Sequence, residues 1–250
     1  MPDDPAFYAV AIPAVVLLGF SKGGFAGVGA LALPLMALAM SPVRAAAILL
    51  PVLVVQDVVG VWAFRRDWDS AVLRATLPGA AVGVLLGYLL AAVVSVGAVL
   101  GVTGGIAILF GLYRLHRRYR PGLPARMPDR AGPLFGLASG FTSQIAHAGV
   151  PPFQLFVLPR GLSPTRFAGT GAIFFAAVNW MKVPAFLSLG QFTAANLGAT
   201  LVLMPVAIAA TFGGVRLVRR VTADRFYLLI DLLMIAVGLR LLWSAFSPAN

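Results

Sequence analysis

"GFSKGGFAGVG", residues 19–29, sets Ser21 and Lys22 among glycines, with a strongly apolar run on either side. The stretch is either a break inside the membrane or lies near the surface, where Lys22 snorkels to water. The rest of the chain favours the break. Of 250 residues 60% are apolar and only 11% charged, against roughly 25% charged in a soluble domain. Apolar stretches recur from Phe7 to Trp243, several of them longer than the roughly 18 residues a spanning helix needs. The chain reads as an all-α polytopic membrane protein, a single transmembrane domain over residues 1–250.

Spans are expected at 43–64, 72–94, 96–114, 166–189, 194–216 and 226–246. Two further apolar regions, 6–40 and 132–159, are each cut near the middle by Gly, Ser and polar residues. Their pieces of roughly 11 to 15 residues fall short of a ~30 Å hydrocarbon core. Between the halves lies one substantial hydrophilic linker, 115–131. Residues 6–114 and 132–247 form a repeat: at an offset of 122, Ser21 matches Ser143, Gly27-Val28 matches Gly149-Val150, Ser41-Pro42 matches Ser163-Pro164, and Arg44 matches Arg166.

Charge decides how the repeats are related. If each interrupted region is a re-entrant hairpin, each half has three spans and the second half is inverted. Arg65, Arg66, Arg74, the basic linker, Arg160, Arg166 and the arginines of 216–225 then share the cytoplasmic side. The acidic "PDDP" start, the uncharged 188–193 turn and both termini lie outside, with Arg44 as the exception. Single crossings by broken helices would make the repeats parallel and export six arginines, so the positive-inside rule favours inversion. The net charge of +11 is accounted for by these clusters, and no nucleic-acid partner is expected. The expected fold is two inverted repeats of three transmembrane helices plus a hairpin, 8–10 helical segments in all.

Inverted repeats with interrupted helices point to a secondary transporter whose site lies at the breaks. The two tips, 21–29 and 142–150, are expected to meet at the midplane. Gly23, Gly24, Gly27 and Gly149 permit a tight backbone, and a helix restarting after each tip offers free N–H groups to an anion. Ser21, Thr142, Ser143 and Gln144 add neutral donors, and Lys22 adds a positive charge. A lysine at mid-membrane costs about 2.5–3.5 kcal/mol, so such residues are functional candidates; the alternative is a Lys22 near the surface that snorkels to water. Asp57 is a candidate counter-ion or proton carrier, and at the same offset it matches Asn179, so both halves place a polar group at one depth. Helix–helix hydrogen bonding is the plainer reading of that pair.

His147 is read as satisfying a hairpin backbone, as a proton-coupling group or as a substrate contact. Lys182 is read as a charge partner or as a snorkelling residue. Gln56, Gln154 and Trp180 flank the suspected site, while Asp231 and Arg240 suit packing or the interface. There is no cysteine, metal-ligand spacing, phosphate loop or serine elbow. Adjacent residues such as Ser21 and Lys22 rarely face each other as a nucleophile–base dyad, so no enzyme and no cofactor is expected. The partners expected are a small anion and the bilayer. The glycines of 79–87 suit close packing within the chain or against a second copy, which leaves a homodimer open.

"GFTSQIAHAGVPPFQLFVLP" (140–159), "FAGTGAIFFAAVNWMKVPAF" (167–186) and the Ser-Pro junctions resemble the TauE/SafE sulfite and organosulfonate exporter family. The resemblance runs over nearly the whole chain and is most specific over 140–186. It implies a multi-pass permease of the cell membrane that moves small sulfur-containing anions. A lysine intrudes here on the glycine run that many members carry at the first break. A passive anion channel, or a permease for another small organic anion, is the competing expectation.

Overall fold

The computed structural model describes residues 5–25, 29, 32–36, 39–91, 93–118, 127–188, 190 and 192–247. All secondary structure among them is helical: α1 (Pro5–Lys22), α2 (Ala32–Met36), α3 (Pro42–Ala63), α4 (Ser70–Leu90), α5 (Val96–Arg118), α6 (Gly132–Ala146), α7 (Val150–Val157), α8 (Pro164–Ser188), α9 (Ala194–Val218) and α10 (Ala223–Phe246). Six of these, α3 to α5 and α8 to α10, are long and apolar enough to cross a membrane. The chain is a multi-pass membrane protein.

The helix starts show the repeat at the level of single atoms. Ser41 and Ser163 each precede a proline, and each hydroxyl accepts from the backbone N–H three residues on, at 3.4 Å from Arg44 and from Arg166. Such caps satisfy an N–H that the first helical turn leaves without a partner. Asp69 and Thr193 do the same for α4 and α9.

Helix direction follows from which residues touch. Asp57 of α3 meets Asn179 of α8, whereas Gly60 faces Ala172 and Phe64 faces Gly169. Numbers rise on one helix as they fall on the other, so these two equivalent helices run antiparallel. The equivalent pair α5 and α10 is antiparallel as well, Gly104 lying against Gly238 and Gly111 against Ile235. Equivalent helices that oppose one another make the two halves inverted repeats.

The same reading shows that the interrupted regions turn back. Val15 of α1 and Gly23 just past its end lie beside Ala207 and Gly214 of α9. Arg44 and Ile48 of α3 bond Asn196 and Thr200 of α9. Both α1 and α3 are therefore parallel to α9, and α1 can be parallel to α3 only if the chain reverses between them. In the second half α6 and α8 both run parallel to α4, with Gly132 at Ala75, Gly140 at Ala80, Thr170 at Asp69 and Ser188 at Tyr88. The first arm is longer than the expected 11 to 15 residues. Helix α1 has 18 residues, about 27 Å, because Pro13 lies within it without ending it.

Each hairpin is carried by the other half. Gly79, Gly83 and Gly87 of α4 interleave with Gly132, Gly136 and Gly140 of α6 so closely that a Cβ on any of them would fall nearer than 3.0 Å to the partner. This double small-xxx-small seam gives the close backbone approach by which helices associate in lipid. The glycines of 79–87 thus spend their packing within the chain. Gly19 of α1 and Gly23 just past its end repeat the arrangement against Ala210 and Gly214 of α9.

The chain has no cysteine, so single-cysteine variants report topology directly. Register places the start of α4 and the turn before α10 at one end of the bundle, since Arg219 bonds the Ala63 carbonyl there. Ser70→Cys and Thr222→Cys are expected to react with an impermeant maleimide from one face, and Ser188→Cys from the other. Labelling of Ser70→Cys and Thr222→Cys from opposite faces contradicts this fold.

Candidate anion site

The two tips meet around a cavity of about 70 Å³, room for several waters or one compact oxyanion given roughly 10–15 Å³ per water. Ser21, Lys22, Gly24 and Gly29 line it from the first tip; Ser143, His147, Gly149 and Val150 line it from the second. Phe175 and Asn179 of α8 and Leu49 and Leu53 of α3 complete much of the wall. Each arm ends on a residue of positive φ, Gly24 at 126° and His147 at 51°. For Gly24 this needs glycine, and a Cβ there would also strike Val218.

Two polar links reach back from the tips. The Lys22 Nζ is 2.5 Å from Asp57 Oδ1, and Asp57 Oδ2 accepts from the Asn179 amide at 2.7 Å. The second link joins Lys182 Nζ to His147 Nδ1 at 3.0 Å. Because Asp57 and Asn179 are repeat equivalents, their contact lies on the pseudo-twofold axis, which in an inverted repeat is at mid-depth. The ammonium of Lys22 also stands 5.6 Å from the Phe175 ring centre, on the face that attracts cations. Formally, two lysines oppose one aspartate around the cavity. That leaves one formal positive charge at the cavity, and an anion that reached Lys22 would compete with Asp57 for it. Among the described residues no three His, Cys, Asp or Glu side chains group to hold a metal.

A family model described as sulfite exporter TauE/SafE matches residues 11–241. The chain belongs to the TauE/SafE family. This is a family of membrane transporters. No curated protein and no solved structure matches.

Within this TauE/SafE chain the suspected residues divide by their place at the cavity. Ser21, Lys22, Gly24, Ser143, His147, Gly149 and Asn179 line the cavity, and Asp57 and Lys182 stand behind them in contact with lining residues. Gly23, Thr142 and Gln144 do not line it. Gly23 lies on the Gly214 backbone. Helix α6 continues through the expected tip to Ala146, and this turns Thr142 inward, where its single O–H has the Ala138, Ser139 and Ala148 carbonyls within reach as acceptors, Ala138 nearest at 2.8 Å. The Gln144 side chain packs on Gly87. Gly27 lies outside the described residues.

Three further readings are corrected. Lys182 does not snorkel; it is fully buried, at 0% exposure. Trp180, at 57%, faces outward rather than toward the site. The restart of α7 offers fewer N–H groups than expected, because Pro151 and Pro152 fill its first turn and proline has none. Phe175 was missed, since an aromatic in an apolar span carries no signal in sequence. Gln56 serves packing, its amide donating to carbonyls of α1 and α9.

The role of Thr142 is open to test. Thr142→Ser is expected to match the parent, and Thr142→Val to lower unfolding stability by about 1–3 kcal/mol, the cost of stranding buried carbonyls. The KM for transported anion is expected to stay unchanged in both; a raised KM in Thr142→Ser would make Thr142 a substrate contact.

Proposed function

We propose that this TauE/SafE transporter exports small sulfur-containing anions, sulfite or organosulfonates, by alternating access around the cavity between its tips. The observation that carries this reading is Lys22 lining a mid-depth cavity formed by both tips, with its charge balanced by Asp57. Lys22 supplies the charge that binds the anion, Ser21 and Ser143 supply hydrogen bonds, and Asp57 holds Lys22 when no anion does. The arginine-rich end of the bundle is cytoplasmic and both termini are outside the cell membrane, by the positive-inside rule. With that orientation and a negative interior, each negative charge moved outward gains about 2.3 kcal/mol per 100 mV. Export then needs no coupling ion.

The test is a panel of sulfite, small sulfonates, thiosulfate and carboxylates offered to purified protein in proteoliposomes. Saturable flux confined to sulfite or sulfonates supports the assignment. Equal flux of carboxylates removes the sulfur specificity, and currents linear in voltage with no saturation replace the carrier by a channel.

A further inference from the structure

The second tip carries a device that this reading leaves unused. His147 lines the cavity and its Nδ1 lies 3.0 Å from Lys182 Nζ, while its Nε2 is buried and has no hydrogen-bond partner among the described residues. An ammonium has three N–H donors and no lone pair. Facing an ammonium the ring nitrogen accepts, and a neutral imidazole accepting at Nδ1 carries its proton on Nε2. A proton on Nδ1 would set donor against donor, and a doubly protonated ring would add a positive charge beside Lys182.

The device is not a requirement of the fold. Lys22–Asp57 and His147–Lys182 join residues the same 35 positions apart, but at the offset of 122 the first half has Gly60 where the second has Lys182. A Cβ on Gly60 would touch the Lys22 carbonyl. The first half makes its tip-to-helix link with Lys22 and Asp57, so a link between lysine and imidazole is particular to the second.

We infer that Lys182 is a positioning residue, whose bond to Nδ1 fixes His147 in the tautomer that presents a free Nε2–H donor to the anion site. The inference rests on the anion-transport reading and narrows it. The ligand is an oxyanion with oxygens directed two ways, one to the Lys22 ammonium and one to the His147 Nε2–H. A sulfite or a sulfonate headgroup has that form.

The tautomer is read by nitrogen NMR on the full-length protein labelled at histidine. The chain has two histidines, and His116→Gln, at an exposed position near the end of α5, leaves one signal set. The expected spectrum without sulfite shows a protonated Nε2 and a bare Nδ1. Adding sulfite is expected to move the Nε2 resonance. In Lys182→Met both resonances are expected to shift toward the average of the two tautomers. A proton on Nδ1 in the parent, or a tautomer indifferent to Lys182→Met, overturns the inference.

Transport gives an independent reading. His147→Gln places an amide N–H near the former Nε2, whereas His147→Asn reaches only Nδ1. The KM for sulfite is expected to stay within about threefold in His147→Gln and to rise about tenfold in His147→Asn, as loss of one hydrogen bond to an anion would give. Backbone preference runs the other way, since asparagine tolerates the left-handed conformation at 147 better than glutamine, so Asn outperforming Gln also overturns it. The NMR readout without sulfite needs no transport, so a parent that fails to move sulfite counts against the proposed function and not against the tautomer.

Discussion

Lys22→Gln is expected to abolish sulfite transport and to destabilise the protein, and the two losses are separable. Glutamine keeps a donor, on a side chain one bond shorter, but removes the charge that faces the cavity. It also leaves Asp57, at 1% exposure, with only the Asn179 amide as partner. Removing one member of a buried ion pair costs about 3–5 kcal/mol, because the remaining charge is stranded. Adding Asp57→Asn removes that stranded charge and places at 57 the residue its repeat equivalent already has at 179. The double variant is therefore expected to recover most of the melting temperature and none of the transport. Recovery of transport in the double variant would show that Lys22 serves only to neutralise Asp57.

Gly136→Ala is expected to have the largest effect on folding. Its Cβ would fall on the Thr76 carbonyl oxygen of α4, and on the other side of the seam Gly79 and Gly83 meet the Pro133 and Leu137 carbonyls of α6. Both partners at each contact are helix backbone, which cannot rotate away as a side chain would. The methyl must push α4 and α6 apart, and the separation loosens the neighbouring glycine contacts together. A cost beyond the ~1–3 kcal/mol of ordinary overpacking is expected. Transport falls as well, because α6 carries the second tip. Gly105→Ala and Gly198→Ala are the controls, since a Cβ there meets nothing within 4 Å. A Gly136→Ala protein that melts with Gly105→Ala would show that the seam is not what holds the hairpin.

Sequence made the spans and the inversion legible for physical reasons. Apolar length marked α3 as 43–64 against the observed Pro42–Ala63, and the arginine distribution chose between inverted and parallel repeats. The partner of the 79–87 glycines stayed hidden, although Gly132, Gly136 and Gly140 repeat at the same spacing of four. Spacing shows that a face is small; it does not say which helix meets it. At the site, the repeat offset brought Asp57 and Asn179 to one depth, and they are hydrogen-bonded. Depth along a helix is readable, but direction around it is not. Lys182 sits near enough to a helix end to suggest snorkelling, and it is buried because its side chain points at His147. Thr142 and Gln144 read as tip residues by type, whereas α6 simply continues past them.

The central claim is that one cavity, shared by the two tips, binds a sulfur oxyanion and opens to each side in turn. Counterflow tests it most directly. Proteoliposomes loaded with unlabelled sulfite and diluted into a trace of labelled sulfite are predicted to accumulate label transiently above equilibrium, with saturation, and Lys22→Gln vesicles are predicted not to. Parent vesicles that show label entering only to equilibrium, in proportion to concentration and carried as an ohmic current, would contradict the claim.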